Sequence, residues 1–64
     1  MMDDQYYLDY SEGQAIGAAI ADRTVDPKEG AALFHSENPG RSIAILEGFR
    51  SGFGNRKRQI ARGC

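Results

Sequence analysis

The chain has 64 residues, a formal net charge of −1, one histidine, one cysteine and no tryptophan. A chain this short buries only about 60% of the surface it exposes when unfolded, so its core is small, and well-packed helices or pairing into a homodimer are the natural supports. A lone cysteine, Cys64, excludes an intramolecular disulfide, and one His with one Cys cannot supply a structural zinc site within the chain.

The opening stretch MMDDQYYLDY lacks the basic and apolar segments of a signal peptide, and the longest small-apolar run, residues 15–21, falls far short of the roughly 20 residues of a membrane helix. The expected location is the cytoplasm, with no membrane partner.

Tyr6, Tyr10, Gly13, Gly17 and Ile20 recur at helical spacing, with Ile16 and several alanines beside them. This predicts a first helix over about residues 4–23. Asp3 or Asp4 suits its cap, and Ser11 with Gln14 offers a later capping box. Asp26-Pro27-Lys28-Glu29 then has the order of a helix start, predicting a short helix over about residues 27–34. Pro39 pushes Asn38 out of helical geometry, and Asn38 suits the cap of a last helix over about residues 39–60. In that helix Leu46, Phe49 and Phe53 share a face with Ile45 beside it, while Gly52 and Gly54 each weaken it by up to about 1 kcal/mol relative to alanine.

The predicted fold is a single all-α domain, an antiparallel helical hairpin of two main helices with a short connecting helix. Its expected core is Tyr10, Ile16, Ile20, Leu46, Phe49 and Phe53. A faint internal echo runs through it: Glu12-Gly13…Gly17…Arg23 returns 35 positions later as Glu47-Gly48…Gly52…Arg58. Four matches are few. Glycines four apart nevertheless lie on one helix face and admit a close backbone neighbour, as in membrane helix pairs.

Little here suits catalysis. His35 stands between Phe34 and Ser36 without a recognisable nucleophile motif, and GFGNRKR lacks the spacing of a phosphate-binding Walker loop. The expectation is a non-enzymatic protein without cofactor or metal.

Charge is the more informative feature. Residues 1–12 hold Asp3, Asp4, Asp9 and Glu12 and no base, whereas residues 48–64 hold Arg50, Arg56, Lys57, Arg58 and Arg62 and no acid. The five bases form a candidate phosphate-contacting set, gripping structured RNA by its backbone with little sequence readout. The same run also reads as the solvated end of a helix, and in an antiparallel hairpin the acids would neutralise part of it. A different reading places the contact at the other end, where Tyr6, Tyr7 and Tyr10 with Asp3, Asp4 and Asp9 would dock on a basic protein partner. That would make the chain a small inhibitor or adaptor of the kind phages encode.

Gly13-x-x-x-Gly17-x-Ala19 in the first helix, and Ile45-Leu46-Glu47-Gly48-Phe49-Arg50 after a proline-containing loop, resemble the ribosome modulation factor family and its short relatives on mobile elements. The resemblance covers about half the chain. It implies a hibernation-type role, in which a small helical protein binds ribosomal RNA and blocks initiation, with Arg50, Arg56, Lys57 and Arg58 as the contact set. Ile45 and Phe49 stand where that family favours tryptophan, the connection here is longer, and the family's ribosome-binding members are strongly basic.

Overall fold

The computed structural model describes residues 4–63 and holds three helices, α1 (Asp4–Ala21), α2 (Pro27–Glu37) and α3 (Ile43–Arg62). Asp3 and Cys64 lie outside the described residues. Helix α1 runs unbroken through Ser11, so the later capping box is not used.

Helix α2 starts as its sequence dictates. Asp26 has extended backbone and its carboxylate accepts the Lys28 N–H at 3.0 Å, with Pro27 opening the first turn. The helix continues past Phe34 to Glu37, because Asn38 closes it instead of opening the next. Both its backbone N–H (2.8 Å) and its side-chain amide (3.3 Å) donate to the Phe34 carbonyl. Pro39 cannot extend the helix, and Gly40, at φ +69°, takes the left-handed turn that reverses the chain. The cap of α3 is therefore Ser42, whose Oγ accepts the Ile45 N–H, and α3 begins at Ile43 instead of near residue 39.

The all-α architecture, with two long helices in extensive contact and a short one connecting them, is as expected. Their direction is a correction. A Cβ built on Gly13 would meet the Ile45 carbonyl and the Phe49 nitrogen, and one on Gly17 would meet the Phe49 carbonyl and the Phe53 nitrogen. Reciprocally, Gly48 faces Tyr10 and Gln14, and Gly52 faces Gln14. The polar contacts ascend in the same order: Ser42 to Asp9, Gln14 to Ser51 and Arg56 to Asp22. Helices α1 and α3 are thus parallel, because α2 and its two connections return the chain to the starting end before α3 sets out.

The 35-residue echo marks this contact. At that offset Gly13 corresponds to Gly48, Gly17 to Gly52, and Tyr10 to Ile45. Each glycine touches the counterpart of what its equivalent touches, as with Gly13 on the Ile45 carbonyl and Gly48 on the Tyr10 carbonyl. A local two-fold relation links the helices, and absent side chains let the backbones meet.

The side chains break that symmetry. Ile45, Phe49 and Phe53 are buried, whereas their counterparts Tyr10, Gln14 and Ala18 are only half-buried. Helix α2 covers the apolar side, stacking Phe34 on Phe49 with ring centroids 4.5 Å apart, while Phe49 lies 5.7 Å from Phe53. The core is Ile20, Ala21, Phe34, Ile45, Phe49 and Phe53. Ile16 and Leu46 sit at its edge. Tyr10, expected in the core, stacks on Tyr6 instead, with centroids 6.1 Å apart.

Candidate nucleic-acid interface

Parallel pairing sends the acidic and basic ends of the chain to opposite poles of a molecule 41 Å long. At the first pole Asp9 accepts from Gln5 (2.8 Å) and from the Ser42 hydroxyl (3.0 Å), and Arg41 donates to Glu12. At the second, α3 outruns its partner: in the 35-residue register Ala21, the last residue of α1, stands level with Arg56. The sequence from Lys57 to Arg62 therefore projects beyond α1, and the acidic start does not cover it.

Of the five bases singled out from the sequence, Arg56 is engaged. It donates to Asp22 at 2.8 Å and to Gln59 at 3.3 Å. Arg58 donates to the neutral Asn55 side chain at 2.7 Å. Among the described residues, Arg50, Lys57, Arg58 and Arg62 make no ion pair. Arg50, Arg58 and Arg62 are exposed, and Lys57 is half-buried.

Arg50 and Lys57 are separated from the other two by their surroundings. They flank a groove of about 350 Å³ between α2 and α3, floored by Leu46, Phe49 and Phe53, with His35 on the opposite side. The groove exists because α2 reaches α3 through phenylalanine rings and not through close backbone contact. None of its lining residues is acidic.

His35 is exposed in the last turn of α2, its ring edge-on to Phe34 at 5.3 Å. Sequence reasoning missed its part in the groove, whereas Phe49 and Phe53 lie in the core as expected and present only their edges to the groove. The available signal was the matching four-residue spacing of Ala31 and His35 on α2 and of Leu46, Arg50 and Gly54 on α3.

The tyrosine cluster gathers at the acidic pole. Tyr6 contacts Tyr7 edge-on at 6.3 Å, and Tyr7, Leu8 and Ile43 are 55%, 64% and 74% exposed. Ile43, the first residue of α3, is the counterpart of Leu8 in the 35-residue register, so both helices carry a bare apolar side chain at this level. Asp4 and Asp9 belong to the same turns of α1.

Among the described residues no group of three or more His, Cys, Asp or Glu side chains is arranged to hold a metal ion, and no helix is long and apolar enough to cross a membrane. Comparison of the chain with protein-family models, curated proteins and solved structures gives no match.

Proposed function

We propose that this protein is a small non-enzymatic RNA-binding factor of the cytoplasm, which grips structured RNA, ribosomal RNA first among the candidates, through the basic half of α3. The observation that supports it is the charge separation. Arg50, Lys57, Arg58 and Arg62 have no carboxylate partner among the described residues, and the acids of the N-terminal turns lie at the other pole. Such cations exchange condensed counterions for phosphates, which makes binding strong at low salt and weak at high salt. The resemblance of Ile45 to Arg50 to the ribosome modulation factors points the same way. With parallel helices the acidic pole faces solvent or a ribosomal protein and does not oppose docking.

Tagged protein mixed with cell extract tests this reading. Ribosomal particles recovered at low salt, released as salt rises, and lost when Lys57, Arg58 and Arg62 are all changed to Glu are the expected result. None of the three makes an ion pair within the described residues, and circular dichroism showing the parent's helix content in the variant is the accompanying control.

A second reading is favoured by the exposed apolar pole. Tyr7, Leu8 and Ile43 beside Asp4 and Asp9 suit docking on a basic protein, since the side chains supply area and the acids supply steering. A single protein retained through moderate salt without RNA, and lost in Tyr7→Ala with Leu8→Ala, would favour the inhibitor or adaptor over the RNA factor.

A further inference from the structure

We propose that the groove between α2 and α3 seats one unpaired nucleotide of the bound RNA, its base on the apolar floor and its phosphates along Arg50 and Lys57. This deepens the RNA-binding reading and rests on it.

Three features of the groove converge on that occupant. Its volume, about 350 Å³, falls within the range of about 300–1,000 Å³ typical of small-ligand sites. Its floor, Leu46 with the edges of the nearly buried Phe49 and Phe53, favours an apolar body, and its rim carries Arg50 and Lys57 with no acid among the lining residues, which favours an anion. A nucleotide carries both parts. Inorganic phosphate would leave the floor empty, and an uncharged apolar ligand would leave the cations without a counter-charge.

The spacing suits a chain passing by. Arg50 and Lys57 are two helical turns apart, about 10 Å along the axis, and the floor lies between them. A base dropped onto the floor leaves its sugar–phosphate strand running along the rim past both cations and on toward Arg58 and Arg62. Bases stacked inside a duplex cannot make this insertion, whereas those of loops and bulges can be splayed out. Apolar contact with a base face tolerates every base, so the seat selects unpaired RNA without reading its sequence.

Gly54 supplies the test. It lines the groove, and a Cβ added there meets nothing within 4 Å. Gly54→Leu therefore adds an apolar side chain at the groove without changing any charge; leucine favours helix over glycine, and unchanged duplex affinity is the check that the fold is kept. Fluorescence anisotropy at one low salt concentration would compare the full chain and Gly54→Leu on an unpaired RNA hexamer and on a blunt RNA duplex. Amide shifts on adding a free mononucleotide would report the groove directly.

The expected result is hexamer binding weakened at least tenfold by Gly54→Leu, duplex binding unchanged, and mononucleotide shifts centred on Ala31, His35 and Gly54. Equal hexamer affinities for the two proteins would overturn the seat and leave the basic-helix reading standing. If the unaltered protein binds neither RNA, both fall. Mononucleotide shifts without RNA binding would overturn the RNA source and make the groove a free-nucleotide site.

Discussion

A methyl group added at Gly17 would occupy the space of the Phe49 carbonyl and the Phe53 nitrogen, and neither can withdraw without moving α3. Overpacking of this kind costs about 1–3 kcal/mol, a large share of the roughly 3–5 kcal/mol that a core of this size supplies. Gly17→Ala should therefore lower the melting temperature sharply by circular dichroism. Gly54→Ala, where the same methyl meets open space, should raise it by up to about 1 kcal/mol in stability. Equal melting of the two variants would show that α1 and α3 do not approach through glycine. Phe49→Ala removes a ring packed between Phe34 and Phe53 and should cost about 3–5 kcal/mol, enough to unfold the chain. Tyr10→Ala, at a half-buried ring outside the core, should leave it folded.

The helices are held at their ends by local chemistry, and most of that was readable from the sequence. Asp26-Pro27 opens α2 because a carboxylate, a fixed φ and a first-turn acid act within four residues. The stretch from Asn38 to Ser42 was read incorrectly because Asn and Ser both suit either closing or opening a helix, and only the backbone hydrogen bond to Phe34 decides. Ser42→Ala should thus cost about 1 kcal/mol of stability through loss of the α3 cap. The ion pairs joining elements matter less. Arg56–Asp22 and Arg23–Glu37 have side chains about half exposed, so each contributes no more than about 1 kcal/mol and weakens with salt. Arg56→Ala should melt close to the parent protein, which makes it a usable probe of RNA contact.

At the scale of the whole molecule, direction was the property that the sequence concealed. An apolar stripe has the same period whichever way its helix runs, and a short connecting helix is compatible with either sense. The 35-residue glycine echo pointed to a close backbone approach but not to its sense, which only the contacts of Gly13 with Ile45 and of Gly17 with Phe53 fix. The candidate site was legible in its charges, Arg50, Lys57, Arg58 and Arg62, but not in its shape. The groove arises from three phenylalanines that hold α2 away from α3, a long-range consequence of packing. Parallel pairing also sends the acidic and basic ends of the chain to opposite poles. Asp22, Asp26 and Glu29 share the basic pole, Asp22 engaging Arg56, and the functional reading depends on Arg50, Lys57, Arg58 and Arg62 having no carboxylate partner among the described residues.

The most direct test of that claim is the affinity of the protein for a single-stranded RNA across a series of salt concentrations. Four uncovered cations, each worth about 0.7 in the slope of log affinity against log salt, predict a slope of about −3, and changing Lys57 and Arg58 to Glu should flatten it and weaken binding. Binding that ignores salt, or no binding at low salt to either single-stranded or duplex RNA, would contradict an RNA-gripping basic pole.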